Sequence, residues 1–271
     1  TWWLIGFYSI AMGITLWLGT KRQGARRVLL WGLGSWLVFG FVWLGSHEAV
    51  ERFLFNAGRS TLKVTFLDVG HGTSVLVQTP DGRHWLYDAG RLGDHQRSYQ
   101  PIAQALWSMG VGQIDGLILS HADSDHYNAM EGLIERFSVR RFITTKDVGE
   151  HPSPSLRQLF DRVQSQGIPI DYWNANTSAT KNDLYGIIPI YPRSDTSSQP
   201  FRLASSKPKK YGAKSMSDNA KSLCLVIEYS NRRILLPGDL ENPGTEVLTA
   251  GLPIDVDVLM APHHGSLTSR Q

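Results

Sequence analysis

A run of apolar residues that ends in histidines and aspartates constrains this chain most. Residues 116–120 read GLILS, which is typical of a short buried β-strand. Four potential metal ligands follow at once: His121, Asp123, Asp125 and His126. His121 and Asp123 are two residues apart, so their side chains would point the same way from an extended strand end. Asp125 and His126 can instead turn toward a second metal ion. The pattern predicts one loop that serves two metal ions, because the alternative, helix capping, needs only one such residue.

Four further motifs accompany this His-x-Asp-x-Asp-His segment in a characteristic order. They are FLDVGHGTS at 66–74, YDAG at 87–90, LPGD at 236–239 and APHHGS at 261–266. Together they resemble the metallo-β-lactamase-like domain of the ComEC family of competence proteins, the membrane channels for DNA uptake. The resemblance covers residues 62–271. It implies an α+β fold, the αββα sandwich, in which two packed sheets are covered by helices on the outside.

The resemblance also implies a site for two divalent metal ions. The expected metal ligands are His121, Asp123, Asp125, His126, Asp239 and His264. Asp239 would bridge both ions, Asp125 is also a catalytic candidate, and His263 would stabilise the transition state or act as a general acid. Which of His263 and His264 binds the metal, and which acts on the transition state, stays open.

The expected first centre is unusually rich in oxygen ligands. Asp123 stands where the wider fold has a second His, and the histidine that usually lies before the strand at 223–229 is missing. The centre would then consist of His121, Asp123, Asp239 and water. Hard oxygen ligands favour Mn²⁺, with Zn²⁺ or Mg²⁺ as alternatives.

Four other polar residues near the motifs have less specific roles. Asp68 and Asp88 follow or end strands, where they can orient metal-bound histidines by hydrogen bonds or simply cap turns. Asn219, with the serine three residues later, resembles the Asn-x-x-Ser pattern of the competence family. His71 occupies a place where that family commonly has glutamine, and a hydrogen-bonding role is favoured over a metal-binding one.

A basic stretch lies just before and across the Asn219 segment. It consists of Lys207, Lys209, Lys210, Lys214 and Lys221, with Tyr211 among them. If it borders the cleft, it can hold phosphates and stack a base. A solvated basic loop is the commoner explanation, and the formal net charge of +3 is too small to establish a polyanionic partner.

The first 45 residues differ from the rest of the chain. Residues 2–19 and 28–45 carry no charge, so each predicts a transmembrane helix near the lower length limit. The sequence KRQGARR at 21–27 lies between them and is expected in the cytoplasm by the positive-inside rule. A pair of buried soluble helices is the alternative. The sequence begins within a predicted helix and stops just after a motif, so the chain is expected to be a fragment, truncated at its C-terminus.

These patterns divide the chain into five parts. They are a transmembrane helix at 1–19, a basic cytoplasmic loop at 20–27, a second transmembrane helix at 28–45, a linker at 46–61 and a hydrolase domain at 62–271. The hydrolase domain would lie outside the cytoplasmic membrane. Its predicted strands are 63–68, 74–78, 83–88, 114–120, 141–144, 168–172, 187–191, 223–229, 232–236 and 256–260, and its predicted helices are 99–109, 130–137 and 155–166.

The leading functional prediction is a membrane-anchored, metal-dependent phosphodiesterase that acts on DNA during uptake and degrades the strand that is not imported. Its partners would be DNA, the membrane, the rest of the channel and other competence proteins. An envelope hydrolase for a small or wall-polymer phosphoester is a second interpretation. A non-catalytic module that guides DNA is a third, because one ligand is substituted and one is missing.

Overall fold

The structure, a computed structural model, describes residues 61–93, 97–150, 152–178, 180–181, 184–193, 216–249 and 255–266, with a few helical residues between 6 and 17. The chain divides into two compact units, Thr1–Ser60 and Thr61–Gln271. Almost all of the predicted transmembrane segments, and all of the basic loop, lie outside the described residues. Within the described residues, no helix combines the length and apolar character needed to span a membrane.

The second unit contains strands and helices in alternation. The strands are β1 Lys63–Phe66, β2 Ser74–Gln78, β3 His84–Ala89, β4 Gln113–Ile114, β5 Gly116–Ile118, β6 Ser138–Val139, β7 Phe142–Thr144, β8 Ile170–Tyr172, β9 Thr180–Lys181, β10 Tyr185–Tyr191, β11 Cys224–Tyr229, β12 Arg232–Leu236 and β13 Val258–Leu259. The helices are α1 Tyr99–Ser108, α2 Ser124–Tyr127, α3 Met130–Ile134, α4 Lys146–Glu150, α5 Pro154–Ser165 and α6 Gly244–Thr249, and short 3₁₀ turns cover Asn219–Lys221 and Pro262–Gly265.

Two mixed sheets form the centre of this unit. The first has the order β1-β2-β3-β5-β7-β8, antiparallel from β1 to β3 and parallel from β3 to β8. The second has the order β13-β12-β11-β10-β9 and is antiparallel except for the β12–β13 pair. A small parallel pair, β4–β6, accompanies them.

Side-chain alternation along β2 shows how the layers are built. Val75 and Val77 belong to an apolar cluster that includes Leu225 and Ile227 of β11, so this cluster lies between the two sheets. Leu76 points the other way, into a cluster with residues of α1, α3 and α5. A third cluster joins α6 to β10 and β11. The layers are therefore helices, sheet, sheet and helix, which is the predicted αββα order.

The predicted strand 114–120 is divided in two. Asp115 separates β4 from β5, and its carboxylate accepts hydrogen bonds from the His84 amide and the Gln113 side chain. The chain therefore leaves the small β4–β6 pair and enters the first sheet at this residue. Other differences are smaller: β1 ends at Phe66, and the helix expected at 130–137 ends at Ile134.

Candidate metal centre

The five motif loops meet at one edge of the sandwich. Strands β3 and β5 are parallel, so the residues that follow them emerge at the same edge of the first sheet. Strands β12 and β13 are also parallel and deliver the LPGD and APHHGS motifs together. The Leu223 amide donates a hydrogen bond to the Ser120 carbonyl, which ties the two sheets to each other beside the site.

Asp88 is the buried hub of the first metal-binding loop. Its carboxylate accepts hydrogen bonds from the Ser120 amide at 2.8 Å and from the Ser120 hydroxyl at 2.7 Å. It also contacts Nδ1 of His126 at 2.8 Å, and both side chains are fully buried. An Nδ1–H donated to Asp88 leaves Nε2 of His126 as the free ligand atom. The orienting role expected for Asp88 agrees with this geometry.

Three buried side chains form the first candidate centre, which we call the inner centre. They are His121, His126 and Asp239, whose ligand atoms all lie within 4.8 Å of one another. Nε2 of His126 is 3.2 Å from an oxygen of Asp239, and the two imidazole rings are 4.2 Å apart. This set differs from the expected first centre, because His126 takes the place that was predicted for Asp123.

A second group, the outer centre, lies nearer the surface. It consists of His71, Asp125 and His264, again with ligand atoms within 4.8 Å of one another. Nε2 of His264 is 3.3 Å from Oδ2 of Asp125, and Nε2 of His71 is 3.7 Å from the same oxygen. Sequence reasoning favoured a hydrogen-bonding role for His71. Its position between two glycines, in the loop that follows β1, was the available signal.

Asp239 lies between the two centres. Its Oδ1 faces Nε2 of His126 at 3.2 Å, whereas its Oδ2 faces Nε2 of His264 at 3.5 Å. One carboxylate thus turns a different oxygen toward each group. This is the arrangement that a bridging ligand requires.

The other predicted site residues lie at different distances from the centres. Asp123 is about half exposed, with an oxygen 3.5 Å from Nε2 of His121. His263 contacts Asp239 at 4.0 Å through Nε2 and Glu241 at 3.6 Å through Nδ1. Glu241 was not identified from the sequence, although it stands two residues after the LPGD motif. His263 therefore lies beside Asp239 without joining either three-residue group.

Asp68 and Asn219 form local hydrogen bonds, Asp68 through its side chain and Asn219 through its backbone carbonyl. Asp68 is exposed and accepts a hydrogen bond from the Gly70 amide at 3.3 Å, as the turn-capping alternative proposes. The Asn219 carbonyl accepts hydrogen bonds from the Ser222 amide and the Ser222 hydroxyl. The Asn-x-x-Ser pattern thus closes a 3₁₀ turn immediately before the residue that binds Ser120.

Close backbone packing and backbone strain both position the ligands. Gly90 approaches the loop of the first motif so closely that a Cβ there would lie 2.2 Å from the carbonyl of Asp125. His263 and His264 both have left-handed backbone angles, with φ of 48° and 52°, which non-glycine residues rarely adopt. Such strain is concentrated at functional sites, where the surrounding structure maintains it.

The charges at the site match a cation. Burial lowers the pKa of His126, but the carboxylates of Asp88 and Asp239 outweigh it and raise that pKa to about 10. Contact with His264 lowers the pKa of Asp125 to about 2 against the effect of burial. The pKa of Asp239 is also lowered, because the neighbouring histidines outweigh its desolvation. The carboxylates are therefore ionised, and a metal ion must displace a proton from His126.

The buried nitrogens of the inner centre are arranged as ligand atoms. Nε2 of His121 and Nε2 of His126 are both buried and make no hydrogen bond, although each faces a carboxylate oxygen, of Asp123 at 3.5 Å and of Asp239 at 3.2 Å. Nitrogen and oxygen atoms that converge without hydrogen-bonding one another fit a shared cation. Two imidazole nitrogens and a carboxylate form a common donor set for a divalent metal.

The basic stretch at Lys207, Lys209, Lys210 and Lys214 lies outside the described residues, and its DNA-binding role stays a prediction. Lys221, the last member of the predicted stretch, is described. Its ammonium group forms an ion pair with Asp147 at 2.9 Å.

The chain is similar in sequence to known competence proteins. The chain is 27% identical over 228 residues to ComE operon protein 3 of Bacillus subtilis, covering 79% of this chain and 27% of that protein. It is 29% identical over 208 residues to competence protein ComA of Neisseria gonorrhoeae, covering 76% and 24%. The chain thus spans about a quarter of the length of these relatives. The resemblance to ComEC-type competence proteins is confirmed.

The chain is also similar to a solved structure and to a protein superfamily. CmlA, a diiron beta-hydroxylase from Streptomyces venezuelae, is 15% identical, with a TM-score of 0.43 over 73% of this chain and 34% of that one. The profile of the Metallo-beta-lactamase superfamily matches residues 67–207, just over half of the 271 residues. That superfamily implies divalent metal ions, often two. The chain therefore belongs to the metallo-β-lactamase superfamily.

Proposed function

We propose that this chain is the metal-dependent phosphodiesterase domain of a membrane-bound DNA-uptake protein, and that it degrades the strand that is not imported. Similarity to competence proteins supports DNA as the substrate. Membership of the metallo-β-lactamase superfamily supports metal-dependent hydrolysis. The remainder of the channel and other competence proteins would be its partners.

The position of Asp239 is the observation that carries this proposal. Its two oxygens face two separate groups of ligand atoms, which favours a pair of ions rather than one. Paired ions are a recurring feature of nucleases and phosphatases, because they stabilise the attacking oxygen and the leaving oxygen of an in-line displacement at phosphorus. The geometry therefore suits a phosphodiester.

The ions would be held by the inner centre and the outer centre, with Asp239 shared between them. When bound, two divalent ions supply an activated water and charge neutralisation for phosphodiester hydrolysis. Asp88 keeps His126 in the tautomer that leaves Nε2 free. Ser120, which also binds Asp88, has its hydroxyl 2.9 Å from Nδ1 of His121 and orients that second imidazole.

His263 is the best placed proton donor. It is partly exposed, lies 4.0 Å from Asp239 and has Glu241 on its other ring nitrogen. An imidazolium in this position can give a proton to the alcohol oxygen that leaves the phosphorus. His264 binds Asp125 and Asp239 instead, so we assign metal binding to His264 and general-acid catalysis to His263.

The location of the domain follows from the sequence. The basic loop at 21–27 supports an orientation in which the hydrolase domain lies outside the cytoplasmic membrane, anchored by two helices. The lysine-rich stretch at 207–214 would then add affinity for DNA phosphates there. The prediction of manganese rests on the oxygen-rich set of His121, Asp123 and Asp239, whereas the inner centre, with two imidazoles and one carboxylate, favours zinc.

Replacing Asp239 by alanine tests the proposal. We expect Asp239→Ala to lose at least about 100-fold in metal-dependent cleavage of DNA and to bind fewer ions per chain, because both centres lose a ligand. Asp161→Ala, on the exposed face of α5, is the matched control and should keep both properties.

The substrate is tested with the unmodified chain. Cleavage of DNA in the presence of Mn²⁺ supports a nuclease. Hydrolysis of a small phosphodiester without any cleavage of DNA would instead identify an envelope hydrolase. Full metal-dependent DNA cleavage by Asp239→Ala would show that no bridging ligand is needed, and the mechanism with two ions would be wrong.

A further inference from the structure

His71 is held toward the site by its own turn. Gly70 and Gly72 on either side have positive φ angles of 75° and 146°. A Cβ on Gly72 would lie 2.4 Å from the carbonyl oxygen of Gly90, so this turn packs directly on the loop after β3. The His71 carbonyl also accepts a hydrogen bond from the Leu92 amide at 2.6 Å. The backbone beside the imidazole is therefore fixed on both sides.

The same turn is joined to the loop that carries Asp125. The Thr73 amide donates a hydrogen bond to the Asp125 carbonyl at 3.2 Å, two residues after His71. This contact sets the distance between the two side chains through the backbone. Nε2 of His71 lies 3.7 Å from Oδ2 of Asp125, and its ring is 4.9 Å from that of His264. His71, Asp125 and His264 are distant in sequence, but their ligand atoms lie within 4.8 Å of one another.

We propose that His71 is a protein ligand of the metal ion in the outer centre and that it makes this centre selective for Zn²⁺ over Mn²⁺. Without His71 the centre offers one imidazole and two carboxylates, from His264, Asp125 and Asp239. With it, the centre has two nitrogens and two oxygens. Four ligands of these types match a tetrahedral zinc site, whereas manganese prefers more oxygen.

The exposure of His71 agrees with this assignment. Its side chain is 61% exposed, while Asp125 is only 14% exposed. An exposed imidazole gains little stability from a single contact at 3.7 Å, so this contact alone does not explain its alignment. A ligand on the open side of the centre would close the ion from solvent on that side and leave the cleft free for substrate.

The inference rests on the metal centre of the proposed function but does not depend on DNA as the substrate. It is tested by metal binding alone, with His71→Gln in the full chain. Glutamine keeps a similar length and a hydrogen-bonding end, but it is a poor zinc ligand. His84→Gln, at the start of β3, is the control for the loss of one histidine.

The chain is loaded with Zn²⁺, Mn²⁺ or Co²⁺ and the bound ions are counted. We expect His71→Gln to weaken the second equivalent of Zn²⁺ by at least about tenfold, to change Mn²⁺ binding less, and to alter the visible spectrum of the Co²⁺-loaded chain. His84→Gln should match the unmodified chain in all three measurements. Far-ultraviolet circular dichroism confirms that each variant is folded.

Unchanged zinc affinity and an unchanged Co²⁺ spectrum in folded His71→Gln would overturn the proposal and leave His71 as a hydrogen-bonding partner of Asp125. An equal loss of Zn²⁺ and Mn²⁺ affinity would overturn the claim of selectivity. Failure of the chain to cleave DNA would count against the proposed function and leave this inference standing, since ion binding is measured separately.

Discussion

The close approach of Gly90 to the first metal-binding loop gives a sharp test of how the site is built. A Cβ at this position would lie 2.2 Å from the carbonyl carbon and oxygen of Asp125 and 2.4 Å from the amide nitrogen of His126. All three are backbone atoms, so no side chain can rotate away to make room. Gly90 does not have a left-handed φ, and the penalty for Gly90→Ala is therefore steric.

The size of the effect follows from these distances. Ordinary contact begins near 3.4 Å, so the loop of Asp125 and His126 must move by about 1 Å to accept a methyl group. Overpacking of this kind costs about 1–3 kcal/mol of folding free energy. Metal ligands tolerate displacements of only about 0.2 Å, so the same shift should weaken metal binding by more than about tenfold.

Two measurements check this prediction. Denaturant unfolding of the metal-free chain should give the stability loss, and titration with Zn²⁺ or Mn²⁺ should give the loss of affinity. Gly112→Ala is the matched control, because a Cβ there meets nothing within 4 Å and should change stability by less than about 0.5 kcal/mol. If Gly90→Ala unfolds at the same denaturant concentration as Gly112→Ala and binds metal equally well, the loop is not fixed by this contact.

Two further predictions concern the ligands themselves. Asp123 has an oxygen 3.5 Å from Nε2 of His121, so Asp123→His would place a third imidazole beside the inner centre and should raise its preference for Zn²⁺ over Mn²⁺ by roughly tenfold in a competition assay; an unchanged preference would show that residue 123 does not bind an ion. In the metal-free chain, the pKa of Asp125 is lowered to about 2, so its stabilising contribution is complete above about pH 4 and is lost as pH falls toward 2. In chemical unfolding between pH 5 and 2, the free energy of unfolding should therefore fall less steeply for Asp125→Asn than for the unmodified chain, with slopes that differ by less than about 1.4 kcal/mol per pH unit. Parallel curves would contradict the stabilising contribution assigned to Asp125.

The sequence predicted the scaffold well, because local patterns decide it. Strand β2 has the predicted bounds, since its apolar residues alternate between two cores. The separation of β4 from β5 was missed, because Asp115 binds the backbone of β3, which is distant in sequence. The four-residue helix α2 was not predicted, because it is too short to show helix periodicity, and its His126 contacts Asp88, which is distant in sequence.

The candidate site could be predicted as a set of residues but not as two groups. Motif spacing placed His121 with Asp123 because alternate residues of a strand share a face. In the structure the chain turns after β5, and the Asp88 contact draws His126 beside His121 instead. His71 could not be assigned, because its proximity to Asp125 depends on a backbone hydrogen bond between loops that are more than 50 residues apart.

The grouping of ligands also depends on both sheets at once. His121, His126 and Asp125 follow the first sheet, whereas Asp239 and His264 follow the second. The Tyr87 hydroxyl crosses between the sheets to donate a hydrogen bond to the Leu223 carbonyl at 2.7 Å.

Gly238, just before Asp239, packs on this same junction. A Cβ there would lie 3.0 Å from the Tyr87 hydroxyl and 3.1 Å from Ser120, so the chain beside Asp239 is held against the first sheet. The packing of the sandwich therefore fixes the position of the bridging carboxylate. Conversely, an ion shared by His126 and Asp239 would link the two sheets, so metal binding and sheet packing must stabilise each other.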